Sequence, residues 1–185
     1  DIGEGSPIVI FQGWGTSIPL YQAMAEHLSL SHRVILPELP GFGRTEEPKE
    51  AWDAEEYAFF AARFLKELGI SRADMIGHSN GGRIIMKLVT GDFGIKAGRL
   101  VLMDSAGIVP ERSRKMGIKQ SVYKAGKSVL LAAPMKKLFP NGIEALQKRF
   151  GSEDYRNASP VMRATLVRLV NEDFRSLMPL IKQPT

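Results

Sequence analysis

The chain has 185 residues, 44% of them hydrophobic and 24% charged, with a net charge of +5. That balance suits a water-soluble chain large enough to bury a real core. With no cysteine present, disulfides and thiolate-bound metals are excluded. No apolar run approaches the roughly 20 residues that span a bilayer. The acidic, glycine-containing start Asp1-Ile2-Gly3-Glu4-Gly5 is unlike a signal peptide. A cytoplasmic protein is therefore expected, and the absence of an initial Met argues that residue 1 is not the natural start.

The charge is unevenly placed. Residues 109–185 carry 15 Lys and Arg against 6 Asp and Glu, whereas residues 1–108 carry 10 against 14. The basic residues are scattered through helix-like segments beside apolar ones and form no compact block. They read as a solvated face, and no nucleic-acid or membrane partner is expected.

In chain order, Pro7-Ile8-Val9-Ile10-Phe11-Gln12 is a short, β-branched apolar run stopped by Gly13, which predicts a buried strand. Residues Ile18 to Leu28 follow with helical spacing at Leu20, Met24 and Leu28. Arg33–Pro37 predicts a second strand, closed by the turn residues Pro40-Gly41-Phe42-Gly43. Asp53 is a plausible cap for a helix reaching Leu68, with Gly69 as its stop. Asp74–Gly77 predicts a third strand, Asn80–Thr90 a helix ended by Gly91, and Arg99–Met103 a fourth strand. Solid apolar strands alternating with helices indicate an α/β fold, a mostly parallel sheet covered on both faces. After Gly107 strand signals cease. Segments 119–138, 142–150 and 161–171 look helical. The expected division is an α/β core over 1–108 and a helical lid over 109–185.

The chemistry concentrates in Gly77-His78-Ser79-Asn80-Gly81-Gly82, between a predicted strand and a predicted helix. A serine there sits on a sharp, strained turn that lifts its hydroxyl clear of the sheet. Residues two before and two after must be small, which Gly77 and Gly81 satisfy. The first free N–H groups of the following helix point at the same place. Gln12-Gly13-Trp14-Gly15, after the first strand, supplies a loop for a second N–H donor. The backbone N–H groups of Trp14 and Asn80 are the candidate oxyanion donors.

These segments, together with Leu36–Thr45 and Leu100–Asp104, resemble the α/β-hydrolase superfamily in order and spacing. The esterase, carbon–carbon-bond hydrolase and haloperoxidase-like branches are the most similar. The resemblance covers residues 7–108. It implies a doubly wound, mostly parallel sheet, a serine nucleophile at Ser79, no cofactor or metal, and a small-molecule substrate. Two positions depart from the pattern: Gln12-Gly13 stands where the family has His-Gly, and Glu38 where it has Asp.

A third departure concerns the base. The family draws a histidine from a loop near its C-terminus, held by a carboxylate after its seventh strand. The three histidines here are His27, His32 and His78, none of them after Ser79. The resemblance therefore implies a chain ending before both partners, with negligible turnover and an open sheet edge prone to self-association. Asp104, at the end of the fourth predicted strand, is either a turn cap or the alternative triad acid that some members place there. Met116, Val122, Leu130, Met135 and Phe139 are possible lid residues lining the substrate pocket, or simple packing. The rival to an acyl-serine hydrolase is a non-catalytic protein of the same fold that binds a small ligand.

Overall fold

The computed structural model describes residues 1–109, 125–126, 128–132, 138, 141–142 and 152–185. These fall into two compact units: residues 1–109 with 160–185, and residues 110–159. Of the helix expected over 119–138, residues 125–126 and 128–131 are described and helical, while the one expected over 142–150 lies outside the described residues beyond residue 142. Met116, Val122, Met135 and Phe139 also lie outside the described residues. In the second unit, helix α4 (Glu153–Asn157) is capped by Ser152, whose side chain accepts from Tyr155 N.

The first unit is an α/β fold. Four parallel strands, β1 (Pro7–Phe11), β2 (Arg33–Ile35), β3 (Arg72–His78) and β4 (Lys96–Met103), are ordered β2-β1-β3-β4. Register pairs Val9 with Ile35 and Met75, and Gly77 with Leu102. Helix α1 (Ile18–Ser29) connects β1 to β2, α2 (Ala54–Glu67) connects β2 to β3, and α3 (Asn80–Thr90) connects β3 to β4. The chain steps outward from β1 to β2 and then returns past β1 to β3. Right-handed crossovers therefore put α1 on one face and α2 with α3 on the other. Strand alternation serves both faces. Ile8, Ile10, Val34 and Ile76 pack with Tyr21 and Ala25 of α1, while Val9 and Phe11 point the other way. Parallel strands buried on both sides need continuous apolar runs, which explains their strong sequence signal.

Helix α1 differs from its predicted stripe. Leu20 is 64% exposed, and the buried residues are Tyr21 and Ala25, with Met24 and Leu28 at the margin. The stripe is displaced because the sheet lies under Tyr21, whose hydroxyl finds polar partners beyond the strand ends.

Helix α2 shows how fully a helix start can be satisfied. The Asp53 carboxylate accepts from Glu55 N and Glu56 N, Glu56 Oε2 accepts from Asp53 N, and Tyr57 N donates to Asp53 O. The remaining donor, Ala54 N, is taken by Glu172 Oε1 at 3.0 Å. Trp52 N likewise donates to Thr165 Oγ1 at 3.0 Å. Both acceptors belong to the segment around α5 (Pro160–Asn171). Met162, Thr165, Leu169 and Phe174 there are at most 3% exposed. The apolar periodicity after residue 160 is thus a core face of the first unit, whereas the sequence placed this stretch in the lid.

Glu172 is held above the usual carboxylate range mainly by burial, with Asp53 adding to the rise. The Ala54 N–H bond, Lys87 and Arg83 oppose it. A carboxylate with a raised folded-state pKa binds more protons when folded, so its contribution improves as pH falls through the window above its ordinary value. Glu172→Gln keeps an oxygen for Ala54 N without the charge. Its stability relative to the parent is expected to be greater at pH 7 than at pH 5, read from urea midpoints at both. The reverse trend would mean that pairing with Arg83 and Lys87 outweighs burial.

The sheet has open edges among the described residues. Ile2 makes one antiparallel bridge to Val34 on the β2 side, and Leu100 N donates to Pro184 O on the β4 side. Val101 of β4 is 49% exposed.

Candidate active site

In an open α/β sheet, ligands bind beyond the carboxyl ends of the strands where the strand order reverses. Here that point lies between β1 and β3. The loop Gln12–Thr16 leaves β1 there, and His78-Ser79-Asn80 leaves β3 there. The two segments most suggestive in the sequence thus meet at the fold's natural crevice.

Ser79 has φ 48° and ψ −108°, a conformation unfavourable for a residue with a Cβ. Its backbone is held from β4 and the loop beyond. Ser79 N donates to Met103 O at 3.0 Å, and Ala106 N donates to Ser79 O at 3.0 Å. Gly82 N also donates to Ser79 O, closing the tight turn into α3. The flanking glycines are sterically required. A Cβ on Gly77 would lie 2.7 Å from Ile85 Cδ1 and 2.8 Å from Gly81 C. One on Gly81 would lie 2.7 Å from Phe11 C and would clash with the Phe11 carbonyl oxygen. At Gly82 the space is filled by Ser105. In the sequence Ser105 is a lone serine after a strand and carries no pattern.

The loop after β1 approaches as closely as glycine permits. A Cβ on Gly13 would stand 2.9 Å from His78 Nδ1 and 3.4 Å from Ser79 Cβ. Gln12, where the family pattern has histidine, is 3% exposed and donates from Nε2 to Thr16 O at 2.8 Å. It braces the loop internally. Trp14 packs edge-on against Phe42, ring centroids 5.0 Å apart, joining this loop to the turn after β2. That turn is itself braced. Glu38 Oε2 accepts from Arg44 N, and Tyr57, whose hydroxyl burial pushes above the usual tyrosine range, donates to Pro40 O. Glu38 thus braces this turn.

Asn80 starts α3, so its N–H lacks an intrahelical acceptor and is directed out of the helix start. Its side chain is 5% exposed, with Nδ2 buried and lacking an acceptor among the described residues. Trp14 N likewise has no acceptor among the described residues. Asp104 lies just past β4 with φ 43°, the other positive-φ residue besides Ser79 that is not glycine among the described residues. It is exposed.

The histidines divide clearly. His27 is exposed near the end of α1 and His32 precedes β2, bonding Ser31 Oγ at 2.8 Å. Both lie at the amino ends of the strands, opposite Ser79. His78 Nδ1 sits 2.9 Å from Tyr21 Oη. Tyr21 was not singled out in the sequence; it is 4% exposed, and a buried tyrosine hydroxyl calls for a polar partner.

No group of three or more potential metal ligands is found among the described residues. A groove of about 730 Å³ runs along the outer face of α2, lined by Trp52, Phe59, Phe60, Phe64 and Phe93. None of the residues around Ser79 borders it.

The chain is 31% identical over 112 residues to a 2-hydroxy-6-oxo-2,4-heptadienoate hydrolase of Pseudomonas putida, covering 58% of this chain and 40% of that protein. It is 34% identical over 112 residues to a 2-hydroxymuconate semialdehyde hydrolase of Pseudomonas sp., covering 58% and 39%. The matched region thus spans about two fifths of these curated relatives. The esterase of Exiguobacterium antarcticum superposes with a TM-score of 0.69 at 21% identity, over 98% of this chain and 72% of that one, a likeness of fold. The family model described as alpha/beta hydrolase fold matches residues 6–164. With the strained serine at the switch point of a parallel sheet, that match places the chain in the alpha/beta hydrolase family.

Proposed function

We propose that Ser79 is the nucleophile of a hydrolase cleaving an ester or carbon–carbon bond beside a carbonyl in a small, apolar substrate. The observation that carries this is the φ 48° conformation of Ser79 at the crevice where the Gln12–Thr16 loop arrives. Strain of this kind persists only where the surroundings impose it, and binding alone does not require it. The two Pseudomonas relatives, a 2-hydroxy-6-oxo-2,4-heptadienoate hydrolase and a 2-hydroxymuconate semialdehyde hydrolase, support this reading, since each is a hydrolase of a small carbonyl compound.

Ser79 Oγ attacks the carbonyl carbon and gives its proton to a base, while the carbonyl oxygen becomes an oxyanion. The N–H groups of Trp14 and Asn80 receive that charge. The acyl–leaving-group bond then breaks, the leaving group takes the proton, and water releases the acyl group from Ser79. Asp104, exposed and beside the elbow, is the alternative acid for orienting a base. None of the three histidines fits the base itself: two are at the far ends of the strands, and His78 bonds Tyr21. The 185 residues therefore supply a nucleophile and donors, and little turnover is expected from them alone. The second reading is a ligand-binding protein of hydrolase fold, which a whole protein lacking the base would favour.

Chemical rescue separates the two. Incubation with a p-nitrophenyl organophosphate and added imidazole, as a diffusible base, is expected to give one adduct, mapped by mass spectrometry to Ser79. The rate should rise with imidazole. Adducts spread over surface serines, or none at any imidazole concentration, would sink the nucleophile reading and leave ligand binding.

A further inference from the structure

We propose that Thr16, Tyr21 and His78 are positioning residues that aim the Trp14 N–H at the oxyanion. The inference rests on the nucleophile reading above and concerns how the donor is held. Gly13 is clamped on both sides. Its N–H donates to Tyr21 Oη at 2.9 Å, and its carbonyl accepts from Thr16 Oγ1 at 2.8 Å and Thr16 N at 3.4 Å.

The Gly13 carbonyl and the Trp14 N–H belong to one planar peptide unit and point in opposite directions. Holding the oxygen therefore fixes the direction of the N–H. Because Gly13 N–H is consumed by Tyr21, Trp14 provides the first uncommitted donor of the loop.

Tyr21 Oη has one proton and two further neighbours, Thr16 Oγ1 at 3.0 Å and His78 Nδ1 at 2.9 Å. The Thr16 proton is directed to Gly13 O. The Thr16–Tyr21 contact is then a bond only if Tyr21 donates to Thr16 Oγ1, so Tyr21 Oη accepts from His78 Nδ1, which carries the imidazole proton. His78 precedes Ser79 in the chain, so the donor loop and the nucleophile are tied through one hydroxyl. With Tyr21 4% exposed, water competes little for these bonds.

The experiment compares the imidazole-assisted reaction of Ser79 with a p-nitrophenyl phosphate triester and with its thiono analogue. Sulfur accepts hydrogen bonds poorly, so a well-aimed donor favours the oxo reagent. General damage to the fold slows both reagents alike. Removal of a whole oxyanion donor costs about 10²–10³ in rate. A misaimed donor retains part of that, so Tyr21→Phe, Thr16→Val and His78→Leu are each expected to lower the oxo-to-thiono rate ratio by roughly 10-fold.

In His78→Asn, the amide nitrogen can stand where Nδ1 stood, two bonds from Cβ, and should recover most of what His78→Leu loses. Side-chain ¹⁵N spectra should show His78 protonated on Nδ1 and bare on Nε2. Gly13 amide exchange should quicken in Tyr21→Phe. An unchanged rate ratio in both Tyr21→Phe and Thr16→Val, or a bare His78 Nδ1, would overturn the proposal. Failure of the nucleophile reading looks different, because the unmodified chain then forms no Ser79 adduct with either reagent. That outcome removes the catalytic role of the clamp, while the spectra still report whether its bonds exist.

Discussion

Ser79→Gly is expected to abolish the organophosphate adduct and at the same time raise the stability of the fold by about 1 kcal/mol. At φ 48° and ψ −108° the conflict is between the Cβ and the neighbouring backbone, a strain of about 1–3 kcal/mol. Glycine has no Cβ and adopts this conformation freely, offsetting the relief by roughly 0.5–1 kcal/mol through a more flexible unfolded chain. The turn itself is retained, because its bonds to Met103 O and from Ala106 N and Gly82 N use only the backbone. Ser79→Ala loses the hydroxyl but keeps the Cβ, so it should lose the adduct without the gain. Urea midpoints of the three proteins, at constant m-value, read the difference. A Ser79→Gly protein less stable than Ser79→Ala would show that the turn carries no strain at this residue.

Gly81→Ala, two residues on, is expected to destabilise the fold by about 3 kcal/mol or more. Its Cβ would meet the carbonyl carbon of Phe11 at 2.7 Å and Phe11 Cβ at 2.9 Å. These atoms cannot yield. Phe11 is fully buried, and β1 is paired on that side through Ile10 with Ile76 and Phe11 with Gly77. Relief would require α3 to move off the sheet, dragging Ile84, Ile85 and Leu88 from the core. Against a typical total stability of about 5–15 kcal/mol, this is a large fraction. Circular dichroism melts should show it, together with loss of the Ser79 adduct. A Gly81→Ala protein within 1 kcal/mol of the parent would mean that the α3 contact with β1 is looser than drawn.

The core elements were legible because their physics is local. Parallel strands covered on both faces need solid apolar runs, and glycines on either side of Ser79 mark a turn that excludes side chains. Asp53 and Gly69 bracket α2 as caps do, and the structure confirms both ends. What local pattern could not show is which distant group completes a site. The stripe through Leu20, Met24 and Leu28 met only the margin of α1's buried face, since only the assembled fold shows Tyr21 reaching Gly13 and His78. For the same reason, helical spacing after residue 160 could not distinguish a lid from a core face. Met162, Thr165 and Leu169 are buried by partners more than a hundred positions away in part, such as Trp52.

Those distant partners bear on the order in which the chain can become structured. Trp52 N and Ala54 N wait for acceptors 113 and 118 residues further along. At about 5–20 residues per second, a ribosome delivers Thr165 and Glu172 on the order of ten seconds after the start of α2 has emerged. During that interval Asp53 and Glu56 alone hold the helix start, and the apolar surface later covered by Leu169 and Phe174 is open. The nascent chain thus carries an exposed, half-capped helix for a time set by translation, the period in which chaperone binding or aggregation competes with folding.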